Sequence, residues 1–228
     1  MVSALNCRWL SVTGFLIASA VSATPASADD AQLWTLSRVN VKVAPRLLLG
    51  NETIFRTSEQ RGDYDLVDHV LLGYQLDRKI TVWIGYTHQT AMNHGRTSAI
   101  EQRFRQQLNF DNVASFGPVI FGGRVRLEER WRTGQIGTGW RLRPQIRLTM
   151  PLTDKVALAA NHESFIDLNR TSFQSVSGEE RMRNAITLSA ILNKHFSAEA
   201  GYLQQHLFYP TNTVRNANVA TFSLAANF

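Results

Sequence analysis

The sequence predicts an all-β protein, a single antiparallel transmembrane β-barrel of ten or twelve strands with a charged lumen. Three observations carry this expectation. Apolar and polar side chains alternate in segments of roughly ten residues, the weak per-strand pattern of an outer-membrane barrel. Short turns alternate with longer stretches rich in Gly, Ser, Asn and Arg, as periplasmic turns alternate with extracellular loops in such barrels. The last segment sets Phe222, Leu224 and Phe228 on one face and Thr221, Ser223 and Asn227 on the other. Its final Phe228 resembles the signal that outer-membrane barrels present to their assembly machinery.

The front of the chain reads as a removable secretion signal. A basic residue, Arg8, precedes an apolar core from Leu10 to Val21, and Ala26-Ser27-Ala28 offers small residues for cleavage. Residues 1–28 are therefore expected to be removed, leaving 29–228 as one barrel domain in the bacterial outer membrane. Cys7 lies before the apolar core, which argues against a lipoprotein, and the mature chain has no cysteine. Disulfide and Cys-metal frameworks are excluded, and strand pairing must hold the fold. No later apolar run approaches the about 18 residues that a spanning helix needs.

In chain order, strands are expected near 32–42, 46–57, 64–76, 80–91, 98–110, 119–132, 139–152, 156–169, 181–193, 195–209 and 217–228. Tight turns fall at Val43-Ala44-Pro45, Asp77-Arg78-Lys79, Thr153-Asp154-Lys155 and Asn193-Lys194. Longer connections occupy 58–63, 92–97, 133–138, 170–180 and 210–216. This parse gives an odd number of strands, whereas bacterial single-chain barrels normally have an even one. Ten or twelve is thus the expectation, with the first strand and the stretch from Asp111 to Gly123 as the sources of the mismatch. Gly122-Gly123 suits a bend or bulge at a barrel rim.

Alternation also assigns sides. Arg124, Arg126, Glu128, Arg130 and Arg132 lie opposite Val125, Leu127 and Trp131, while Arg141, Arg143, Gln145 and Arg147 lie opposite Trp140, Leu142, Ile146 and Leu148. The same parity gathers Glu101, Arg103, Arg105 and Gln107 with Arg38, Lys42, Glu52, Arg56, Glu163, Asp167, Arg181, Arg183 and Glu199. About fourteen bases then face six acids on one surface. The full chain carries a formal charge of +6, and loss of Arg8 with the signal leaves +5. A soluble lipocalin-like barrel, the structural rival, would turn its apolar face inward and leave these charges solvated.

Glu101-Gln102-Arg103-Phe104-Arg105-Gln106-Gln107-Leu108, Arg124-Val125-Arg126-Leu127-Glu128-Glu129-Arg130, Arg141-Leu142-Arg143 and Glu163-Ser164-Phe165 resemble, in this order, the DUF2490 family of uncharacterised outer-membrane barrels. Gly85-Tyr86, Gly201-Tyr202-Leu203-Gln204-Gln205 and Phe228 extend the likeness over most of the mature chain. The resemblance implies an outer-membrane barrel and carries over no reaction.

The best candidate for chemistry is His162-Glu163-Ser164. Outer-membrane lipid A deacylases similarly place a His and a Ser two residues apart on the lipid-facing side of a strand. Parity sets His162 and Ser164 outward, yet the aromatic and Asn flanking that family's pair are absent, so the favoured reading is an interfacial His beside a small polar residue. A lipid hydrolase is a remote alternative and the chain is expected not to be an enzyme. His69, His88, His94, His195 and His206 show no metal-ligand spacing, and no metal or cofactor is expected. Trp34, Trp83, Trp131 and Trp140 are expected in wall packing, the last two as an interfacial girdle around 133–138.

Two functions follow. Surplus arginines lining an open lumen would make a narrow, anion-favouring solute channel, with Glu101, Arg103, Arg105, Arg124, Arg126, Glu128, Arg130, Arg141, Arg143, Arg147, Glu163, Asp167, Arg181 and Arg183 as its lining. Alternatively, Glu101, Glu128, Glu163, Asp167 and Glu199 each clamp two arginines and close a structural or binding barrel. Expected partners are outer-membrane lipid, the barrel assembly machinery and small anionic solutes. Nucleic acid is not expected, because the arginines recur at strand period inside a wall.

Overall fold

A computed structural model describes residues 30–208 and 214–228, and the expected signal segment lies outside the described residues. Eleven strands, β1 (Asp30–Ala44), β2 (Leu47–Ser58), β3 (Gly62–Gln75), β4 (Ile80–Asn93), β5 (Arg96–Phe116), β6 (Val119–Arg132), β7 (Gly139–Pro151), β8 (Val156–Asp167), β9 (Gly178–Ile191), β10 (Phe196–Phe208) and β11 (Val214–Asn227), form one closed barrel. Each strand pairs antiparallel with its sequence neighbours. No described residue is helical.

The expectation of ten or twelve strands is corrected to eleven. Hairpins reverse the chain at every step, so with an odd number the first and last strands point the same way and must pair parallel. β1 and β11 do so, from Asp30 opposite Ala217 to Asn40 opposite Asn227. The seam is extended at one end by main-chain bonds, Phe228 N to Asn40 O at 3.0 Å and Lys42 N to Phe228 O at 2.8 Å. Asn40 also donates through its side chain to Asn227 Oδ1 at 3.0 Å.

The stretch from Asp111 to Gly123 hides no further strand. β5 runs on through it to a turn at Gly117-Pro118, where Gly117 adopts φ +57°, a left-handed conformation open to Gly at little steric cost. A register break between Phe110 and Ala114 lies opposite Gly122 and Gly123, so the bulge is where the glycine pair suggested.

Turns at 45–46, 76–79, 117–118, 152–155 and 192–195 lie at one end, called here the short-turn end. The opposite, loop end carries 59–61, 94–95, 133–138 and 168–177. Burial is inverted relative to a soluble barrel. Leu72, Ile84, Leu108, Ile146, Leu188, Phe222 and Leu224 are exposed on the outer wall, while Arg105, Arg126, Glu128, Arg141 and Asp167 are buried inside. This excludes the lipocalin-like arrangement, in which the apolar rows would fill the interior.

Candidate functional site

The charged rows share one side because side chains in a strand alternate with period two and β5 to β9 are adjacent and in register. All fourteen residues expected at the lumen face the interior. Most are buried, and Arg124, Arg147 and Arg181 are partly open. The interior also holds three acids beyond the six that strand parity gathers there. Asp65 pairs with Arg56 at 2.5 Å, Glu180 with Arg181 at 2.6 Å, and Asp111 lines the cavity described below. The basic surplus is therefore smaller than the sequence count.

Carboxylates organise the arginines into a layer across the lumen. Glu101 accepts from Arg103 Nε at 2.6 Å, Arg130 Nε at 2.9 Å and Arg132 Nη2 at 2.8 Å. Glu128 accepts from Arg143 Nη1 at 2.7 Å and faces Arg126 at 3.6 Å. Arg143 reaches on to Glu163 at 2.9 Å, which also holds Arg124 at 2.8 Å. Asp167 takes Arg141 at 2.8 Å and Arg130 at 3.8 Å. Glu52 joins Arg38 at 3.0 Å to Arg105 at 2.9 Å, the latter from a strand that is not its neighbour. Glu101 thus clamps three arginines rather than two, and Glu199 holds one, Arg147, at 2.6 Å.

Aromatic rings complete the layer, and two of them correct the expectation of wall packing. Trp34 and Trp83 are buried in the interior. Trp34 is flanked by Arg56 at 4.3 Å and Arg183 at 4.5 Å, and its indole N–H donates to Tyr64 Oη at 2.7 Å. Phe165 meets Arg143 at 4.2 Å and Arg183 at 4.5 Å. Arg183, which has no carboxylate ion pair among the described residues, lies over both rings, and aromatic faces attract cations. Trp131 is exposed on the outer wall and donates to Thr138 Oγ1 at 3.0 Å, as a residue bracketing 133–138 should.

Above the ion pairs, the loop 168–177 folds inward. Gln174 is buried, accepts from Arg130 Nη1 at 2.8 Å and donates to Asn169 O at 2.7 Å. Gly139 makes room for it, since a Cβ there would lie 2.7 Å from Gln174 Oε1. No sequence signal marked Gln174, because its role depends on a loop returning into the lumen.

Toward the short-turn end the lumen is open. A cavity of about 690 Å³ lies there, lined among the described residues by seven arginines, including Arg38, Arg124 and Arg147, against four acids. The balance makes it basic. His69 lies in its wall, with Nδ1 2.6 Å from Thr87 Oγ1.

On the outer wall, His162 Nε2 is 3.2 Å from Ser164 Oγ and His162 Nδ1 is 2.7 Å from Asn184 Oδ1. Sequence reasoning found the first pair and missed Asn184, which register alone delivers, by setting it opposite His162.

Fold and site together define a closed, eleven-stranded β-barrel filled by arginine–carboxylate pairs. The chain belongs to the DUF2490 family, a family of unknown function whose pattern matches residues 31–216. It is similar to an uncharacterized protein of Methylorubrum extorquens, 27% identical over 201 residues that cover 83% of this chain and 84% of that one. No solved structure matches it.

Proposed function

We propose that the protein is an outer-membrane β-barrel closed across its middle, whose basic cavity at the short-turn end takes up small anionic solutes from the periplasm. The carrying observation is the layer from Arg105–Glu52 through Arg143, which bridges Glu128 and Glu163. Its buried pairs tie strands that are not neighbours, which favours the closed barrel over the anion channel. The apolar outer wall supports membrane placement, since a contiguous apolar surface of this extent is disfavoured in water, while tilted strands with charged interiors suit lipid. In this reading Phe228 serves as assembly signal, the short-turn end faces the periplasm, and the lumen holds no catalytic centre.

Fractionation tests the reading. The protein should sediment with outer membranes, resist extraction by alkaline carbonate, and run as a compact band without heating. Recovery in the soluble periplasmic fraction would overturn it.

A further inference from the structure

We infer that Ser164, His162 and Asn184 form an ester-hydrolase site on the outer wall, with the acyl esters of membrane lipids as substrate. This goes beyond the closed-lumen reading and rests on the part of it that turns the outer wall to lipid.

Three side chains from two strands are in order. Asn184 Oδ1 can only accept a hydrogen bond, so the 2.7 Å contact requires a proton on His162 Nδ1. Nε2 then carries the lone pair, and it lies 3.2 Å from Ser164 Oγ. Nucleophile, base and orienting group therefore stand in the relation on which serine hydrolysis depends, with an amide in the third place. His162 is exposed, and Ser164 and Asn184 are half-buried, so the site is open to the surface.

A groove of about 400 Å³ begins at His162 and Asn184 and runs toward the short-turn end between Ile146, Leu148, Ile186 and Tyr202, with the small Ala160 as its floor. Its occupant would be an acyl chain. The chain would lie along the apolar wall, the ester would reach the triad, and the headgroup would extend toward the loop end, the order in which a bilayer lipid presents these parts. Ser164 also lies where the β7–β8 ladder lapses between Leu142 opposite Ile166 and Gln145 opposite Glu163. Pro144, which has no N–H for the ladder, falls in that gap.

Ser164 Oγ attacks the ester carbonyl carbon as its proton passes to His162 Nε2. The new Oγ–C bond forms, the C–O bond to the alcohol breaks, and the proton on Nε2 goes to the departing oxygen. Water then attacks the acyl carbon and gives a proton to Nε2. The Oγ–C bond breaks, the proton returns to Oγ, and a fatty acid leaves.

The test uses the full mature chain, folded in detergent. A fluorophosphonate should label Ser164, and the protein should release oleate from mixed micelles of detergent and dioleoylphosphatidylethanolamine. Ser164→Ala should abolish labelling and lower release at least about 100-fold. Asn184→Leu should lower kcat about tenfold or more with little change in KM, and Asn184→Asp should restore it, as expected for a positioning residue. Compact migration without heating verifies that each variant is folded. Release no higher from the parent than from Ser164→Ala overturns the assignment, as does labelling that survives in Ser164→Ala. Labelling needs no membrane, so failure of the membrane reading would show in fractionation while labelling persisted.

Discussion

Arg105 and Glu52 meet inside the barrel at 2.9 Å although their strands, β5 and β2, are separated by two others. Such a contact ties walls that the hydrogen-bond ladder does not join. Arg105 is fully buried, so removing its partner would strand a charge away from water. Glu52→Gln should destabilise the barrel by about 3 kcal/mol, within the range for breaking a buried pair from one side. Urea unfolding in lipid vesicles measures this, and a midpoint equal to the parent's would show that water reaches the site.

Glu128 and Glu199 offer an internal comparison. Glu128 has no exposed side-chain surface and two arginine neighbours, whereas Glu199 is a quarter exposed at the cavity wall and, among the described residues, pairs with Arg147 alone. Glu128→Gln should cost about 3 kcal/mol, and Glu199→Gln less than about 1 kcal/mol, because solvent screens it. Raising salt should shrink only the second effect. Equal losses would contradict the division into a dry layer and a wet cavity.

Gly139→Val addresses the loop that folds in. A Cβ at this position meets Gln174 Oε1 at 2.7 Å and the Phe173 ring at 3.2 Å. The larger side chain should expel Gln174 and increase protease cleavage within 168–177, while the ion pairs below keep the barrel folded. Unchanged cleavage would mean that the loop accommodates the side chain in place.

Phe228 contributes both ring and backbone. Its ring stacks on His195 at 5.0 Å and meets Phe196 edge-on at 6.0 Å, while its N–H and C=O extend the parallel seam to β1. Deleting Phe228 should reduce the yield of compact, heat-modifiable barrel more than Phe228→Ala does, because only deletion removes the two seam bonds. Equal yields from both variants would assign the whole effect to the ring.

Strand positions and sides were legible because alternation is a local property. The parity that set Arg126 and Glu128 inward is the parity the barrel has. The odd strand count is legible too, but the even-number rule of bacterial barrels overrides it, since nothing in one strand reports whether the closing pair is parallel. The interior place of Trp34 is not legible, because an aromatic residue on a charged row reads as wall packing and the flanking Arg56 and Arg183 come from other strands. Gln174 and Asn184 were invisible for a different reason. One depends on a loop re-entering the lumen and the other on the register between β8 and β9, and neither leaves a local pattern.

Electrical recording across a planar bilayer tests the central claim most directly. A barrel closed by the layer through Arg105, Arg143 and Glu128 should add no stepwise conductance to the bilayer baseline, at either polarity and in high or low chloride. Sustained anion-selective steps that fall when Arg124 and Arg147 are replaced by Gln would contradict it, and would mean that ions pass where the structure has arginine–carboxylate pairs.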